Sequence, residues 1–273
     1  MEDIIANWIA SVLSMFMGSV QSITSVLGQN LQNNVNMWGM VTSVQGIIKP
    51  VCYTILCIFF LVDFLKTSIK IDMIKWEDIF KSLIKFAVAK GAIDFAPLVF
   101  DAIYSQIALW TTQYGSVAYD PSFMLTIADN INKALDEMGF WQVIGFAITS
   151  IIPAIVLLAC SFIVKVIAYG RLIEIYVLLA FMSIPCALIL DSEGGTNATK
   201  KYILNFAGVC LQGFLIVVAC SLYQFLMADV LVGQTSGVTD AGDLLFTMVL
   251  GAVVMVLAVI KCGQWGKQIL NAI

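Results

Sequence analysis

The sequence predicts an all-α, polytopic integral membrane protein, and three observations carry that reading. Six stretches are too apolar to sit in water, and the charges between them are sorted by sign. Of the 273 residues, 60% are apolar and 12% charged, with a mean hydropathy of +0.95, whereas soluble domains run near about 45–50% apolar and about 25% charged. A helix crossing a bilayer needs about 20 apolar residues. Six such stretches leave little chain for a separate soluble domain, so residues 1–273 are expected to form a single membrane domain. Five to six membrane-embedded helical segments, an N-terminal amphipathic helix and a short extracytoplasmic helix are expected. Glu2 and Asp3 stand where a signal peptide has Lys or Arg, so insertion without cleavage is expected.

Residues 4–27 form the amphipathic helix: Ile5, Ile9, Val12, Phe16, Val20, Ile23 and Leu27 recur at helical spacing opposite a stripe that includes Asn7, Ser11, Ser14, Gly18 and Ser25. That stripe suits either a membrane-surface anchor or contact with a like helix of a neighbouring subunit. A connector rich in Asn and Gln leads to Trp38, an aromatic marker of the water boundary, and then to the first membrane segment, residues 40–65. The connector 66–82 and the start of the next segment hold Lys66, Lys70, Lys75, Lys81 and Lys85, a basic face that the positive-inside rule places in the cytoplasm. It reads as an amphipathic segment along the membrane, suited to anionic lipid or to docking of a cytoplasmic ATPase or passing DNA; no base-stacking arrangement shows DNA contact.

The second segment, residues 83–110, carries charge. Lys90, Asp94, Asp101 and Ser105 follow at helical spacings on one face, and Pro97 is expected to interrupt the helix. Charge at that depth is paired or turned to an aqueous interior, so this polar face is either a self-neutralising Lys90–Asp94 pair or the lining of a subunit interface or passage. Residues 114–139 are polar, open a helix at Tyr119-Asp120-Pro121 and hold Asp120, Asp129, Asp136 and Glu137 against Lys133, which places them outside.

Four further membrane segments follow at 140–164, 172–190, 203–227 and 244–260. Asp229, Asp240 and Asp243 mark an outside connector, and Lys261 and Lys267 an inside C-terminus. The signs then conflict with the count: between two outside points lie three runs, where an even number must cross. Either residues 172–190, with Glu174 near one end and Pro185 near the other, are re-entrant or strongly tilted, giving five crossings with the N-terminus outside, or all six cross and the charge rule fails locally. Gly208, Gln212 and Gly213 put small and amide groups where helices pack closely and bond to one another.

Catalytic chemistry has no foothold. The chain has no histidine, which removes the commonest general base and metal ligand. No G-x-S-x-G, Walker A or H-E-x-x-H string occurs. The seven cysteines are odd in number and form no C-x-x-C pair, so they read as packing residues rather than a disulfide or zinc framework. No cofactor or metal is expected.

Between Ala168 and Phe225 stand Tyr169-Gly170-Arg171, Pro185 closing an apolar run, Glu193-Gly194-Gly195-Thr196, Lys201-Tyr202, the string from Ala207 to Gly213, and Ala219-Cys220. This block resembles the core signature of the TrbL-like polytopic membrane subunit of conjugative type IV secretion systems, in the form carried by conjugative elements of Gram-positive bacteria. The family's pattern has a small residue before the proline, where this chain has Ile184. The resemblance implies a non-enzymatic, homo-oligomeric channel or scaffold subunit of the cytoplasmic membrane. Its implied partners are the other secretion-system membrane subunits, cytoplasmic ATPases and membrane lipids, and it would help a DNA–relaxase complex across. Two other readings stay open from the residues alone: a small-molecule or ion transporter using Lys90, Asp94 and Asp101, and a purely structural scaffold.

Overall fold

The computed structural model describes residues 2–70, 76–118, 140–190, 195–234 and 241–270. Every described element is helical: α1 (Glu2–Leu27), a 3-10 turn (Leu31–Asn33), α2 (Val35–Lys70), α3 (Trp76–Ala118), α4 (Phe140–Phe181), α5 (Ser183–Ala187), a second 3-10 turn (Leu188–Leu190), α6 (Gly195–Gln234) and α7 (Ala241–Ile269). A chain this apolar folds so because a helix satisfies its backbone groups within the segment, without water. Among the described residues, four stretches are long and apolar enough to cross a membrane: Val35–Lys66, Ala147–Leu190, Gly195–Tyr223 and Val249–Ile269. Residues 83–110 lie on α3, which falls outside that set because Lys85, Lys90, Asp94 and Asp101 interrupt its apolar run.

Three readings of the sequence change against these elements. Residues 140–164 and 172–190 do not flank a connector, because α4 runs unbroken through 42 residues from one into the other, about twice the length of one crossing. Pro97 does not interrupt α3, just as Pro50 and Pro153 lie inside α2 and α4; the loss of one N–H donor is absorbed where the remaining turns hold their bonds. The basic stretch 66–82 is not an element of its own, since α2 continues to Lys70 and α3 begins at Trp76. Lys75, residues 119–139 of the segment expected outside the membrane, Glu193, Gly194 and Asp240 lie outside the described residues.

The chain divides into two compact units. The first comprises Met1–Gly28, Ala108–Arg171 and Gln212–Trp265. Its core gathers Ile23 and Leu27 of α1, Leu157, Val164 and Ala168 of α4, Ile216 and Cys220 of α6, and Ala252, Met255 and Val259 of α7. Helix α1 reaches α3 closely here: a Cβ on Gly115 would lie 2.2 Å from Thr24 Cγ2, and one on Gly28 would lie 2.5 Å from Thr112 Cγ2. Phe214 meets Trp110 and Tyr114 edge-on, at ring centroid distances of 6.4 and 6.0 Å.

The second unit comprises Gln29–Ile107, Leu172–Leu211 and Gly266–Ile273. Its centre is Phe100 of α3, packed on Phe206 of α6 at 4.7 Å and near Tyr202 at 6.0 Å between ring centroids. Ile93, Ile175, Leu179 and Met182 are buried in the same unit. The cysteine reading holds for six residues, which are buried and free, but Cys57 is exposed on α2. Phe100 is 1% exposed and Phe95, on the same helix, 63%. Phe100→Ala is therefore expected to cost about 3–5 kcal/mol and to lower the thermal unfolding midpoint of detergent-solubilised protein by many degrees. Phe95→Ala is expected to shift it little.

Candidate functional site

The polar face foreseen on α3 exists in the second unit, but its partners differ from those expected. Asp94 accepts a short hydrogen bond from the Tyr53 hydroxyl of α2. No ion pair joins Asp94 to Lys90, which is exposed; four residues apart, each side chain reaches a different environment. One turn pair further on, Asp101 Oδ2 accepts from Gln32 Nε2 at 3.0 Å, while Oδ1 is buried without a partner. Ser105 bonds back to Ala102 O of its own helix at 3.0 Å, a local back-bond rather than a lining contact. Of the basic residues nearby, Lys66, Lys81 and Lys85 are exposed. Lys85 lies 3.9 Å from Asp63, an exposed pair of little energetic weight.

The acid at position 101 belongs to a larger arrangement around the turn that joins α1 to α2. Asn30 opens the 3-10 turn by accepting from Gln32 N at 3.3 Å, and Asn34 caps α2 by accepting from Met37 N at 3.4 Å. Two carbonyls in this turn would otherwise go unused. Tyr104 of α3 donates to Gln29 O and Tyr176 of α4 donates to Leu31 O, each at 2.9 Å.

The end of α4 is treated the same way. The last four carbonyls of a helix lack intrahelical partners. Leu178 O accepts from the Tyr202 hydroxyl at 2.5 Å, and Leu179 O accepts from Gln45 Nε2 at 3.0 Å. Pro185, in α5, cannot donate an N–H, and its carbonyl accepts from Thr199 Oγ1 at 2.5 Å. Pro185 thus stands beside a turn sealed by α2 and α6, with Ser183 Oγ buried and unpartnered next to it.

In the first unit, three helices meet at Gly263 of α7. Gln212 of α6, fully buried, donates from Nε2 to Gly263 O at 2.7 Å, and its Oε1 has no partner. Arg171 of α4 lies against the α-carbon of the same glycine: a Cβ there would sit 2.6 Å from Nη2. A side chain at this position would make the flexible end of Arg171 move aside. Gly213 faces Leu27 of α1, where a Cβ would lie 3.6 Å from Leu27 Cδ2, in ordinary contact. Gly208, in the second unit, faces the α7 backbone, where a Cβ would lie 3.4 Å from Gly266 O. All three packing positions therefore serve contacts within the chain. Tyr169 is half-exposed on α4, and Gly170 beside it has open space around its α-carbon.

Sequence reasoning missed Tyr53, Gln45, Tyr104 and Tyr176, and named Tyr202 only as part of the family block, not for its bond to Leu178. Their signal was available: a tyrosine inside an apolar run needs a hydrogen-bond partner once buried. Chemically, these groups tie helices and turns together. Among the described residues, no three Cys, Asp or Glu side chains come together in a way that could hold a metal ion.

The family model described as TrbL/VirB6 plasmid conjugal transfer like protein matches residues 17–183. That match runs from the second half of α1 through α4 and includes Tyr169, Gly170 and Arg171, whereas Pro185 and the later signature residues lie beyond it. No curated protein and no solved structure matches the chain.

The interhelical bond of Gln212 should be weak and the packing of Gly263 strong. Polar contacts between membrane helices average about 0.6 kcal/mol and reach about 1.7, and one Gln212 oxygen is already unpartnered. Gln212→Leu is expected to lower the thermal midpoint by only a few degrees. Gly263→Leu, which adds four carbons where the helices meet and makes the end of Arg171 move aside, is expected to lower it more, as overpacking does; equal shifts for the two would show that the amide, not the close approach, holds the three helices.

Proposed function

Because this chain belongs to the TrbL/VirB6-like family of plasmid conjugal transfer proteins, we propose that it is a non-enzymatic, homo-oligomeric channel or scaffold subunit of a conjugative type IV secretion system. It helps a DNA–relaxase complex cross the cytoplasmic membrane, working beside the system's other membrane subunits and its cytoplasmic ATPases. The observation that carries the reading is the family match over residues 17–183 on a chain whose described residues include four helices long and apolar enough to span a membrane.

The topology that goes with it has five crossings: α2, α3, α4, α6 and α7. With α4 as one helix, the acidic residues before it and those after α6 are separated by two crossings, so the parity conflict disappears. The uninterrupted course from Phe140 to Phe181 supports this count. The N-terminus is then outside and the C-terminus, with Lys261 and Lys267, in the cytoplasm. Alkaline phosphatase fused after position 130 is expected to be active and a C-terminal green fluorescent protein fusion to fluoresce. The opposite pattern at either point rejects five crossings.

A transporter reading is less well supported, since Asp94 and Asp101 are each engaged with a neighbouring side chain. Deletion of the chain is expected to reduce plasmid transfer between mating cells by several orders of magnitude, with Asp94→Asn restoring most of it. Transfer that survives the deletion would overturn the secretion role. Ion flux in liposomes abolished by Asp94→Asn would favour the transporter.

A further inference from the structure

Within the first unit, α6 and α7 leave between them an apolar cleft of about 410 Å³. Its floor is buried, with Tyr223 and Met255 closing it, while Leu222, Leu250 and Val254 stand half-exposed along its walls. Both helices are long and apolar enough to span the membrane, so the cleft opens toward hydrocarbon rather than water. The α7 wall includes Leu250, Val254, Ala258 and Trp265, and by helical spacing Lys261, which does not itself line the cleft, falls on the same face between Ala258 and Trp265. The face is therefore apolar for most of its length and ends in a cation beside an indole. Lys261 is exposed and has no protein partner among the described residues. From Leu244 to Ile269 the helix carries no carboxylate that could neutralise it.

From this combination we propose that the α6–α7 cleft is a binding site for one anionic phospholipid, with an acyl chain lying along Val254 and Ala258 and its phosphate held by Lys261 beside Trp265. Apolar walls alone would take any lipid tail. The unneutralised lysine at one end adds charge complementarity to a headgroup phosphate, and Trp265 suits the headgroup level, where amphipathic rings collect. The occupant is phosphatidylglycerol, whose one headgroup phosphate matches the single lysine. The proposal rests on the membrane placement of α6 and α7 and not on DNA transfer, so the mating result and the lipid result can fail separately.

The test is native mass spectrometry of the detergent-purified full chain, with equal amounts of phosphatidylglycerol and phosphatidylcholine of the same acyl composition added. The wild type is expected to retain one phosphatidylglycerol per chain, several-fold over phosphatidylcholine. Lys261→Gln is expected to reduce the two lipids to parity, Lys261→Arg to keep the preference, and Ala258→Phe to remove both adducts by filling the cleft. Equal retention of both lipids by the wild type, or a preference unchanged in Lys261→Gln, overturns the proposal. So does Ala258→Phe altering the oligomeric mass while leaving phosphatidylglycerol bound, which would assign the cleft to a second copy of the chain. Lys261 is exposed, so its variants keep the test decisive even if Ala258→Phe does not fold.

Discussion

A peptide group in hydrocarbon has no water to turn to, and each one left unpaired costs several kcal/mol. Helices meet that demand along their length but not at their ends, where carbonyls are left over. The described chain stops and restarts its helices at two such places, after α1 and after α4. At both, side chains from other helices donate to these carbonyls or to those of the turn that follows: Tyr104 and Tyr176 to the turn after α1, Tyr202 and Gln45 to the last turn of α4, and Thr199 to Pro185 just beyond it. The polar residues of the second unit are thus concentrated where the backbone is exposed by topology. Because each donor comes from a helix remote in sequence, closing the ends also fixes which helices are neighbours.

Close approach is the second device. Helices in lipid gain little from burying apolar surface against one another, since the lipid is as apolar as they are, and association depends on packing. Gly263 shows what that means at one residue, with a guanidinium on its α-carbon and a glutamine amide on its carbonyl. Three helices converge on a position that contributes no side chain. The guanidinium in this contact belongs to the single arginine of the chain, whose long side chain reaches from α4 to α7.

The helices themselves were legible, because a run of twenty apolar residues has few other readings. Legibility failed where charge interrupted such a run. Lys165, Arg171 and Glu174 look like a connector when met in sequence, yet α4 passes through them. Spacing does not reveal that Arg171 rests on a glycine some ninety positions later. The same limit applied to Asp94, for which Lys90 was the nearest partner along the helix and Tyr53 the partner in space. Gly208, Gln212 and Gly213 were recognisable as packing residues from their size and chemistry alone, but which surface each one packs against required the fold.

The tyrosines at the first turn act on carbonyl oxygens, which every amino acid carries. Tyr104 reads position 29, and Tyr176 position 31, without regard to the side chain there. Evolutionary drift at the exposed Gln29 is therefore cheap, while the two hydroxyl donors, far away in the sequence, are held in place by a contact that leaves no trace of co-variation. The conserved half of such a contact would stand in an alignment as a lone tyrosine with no visible partner.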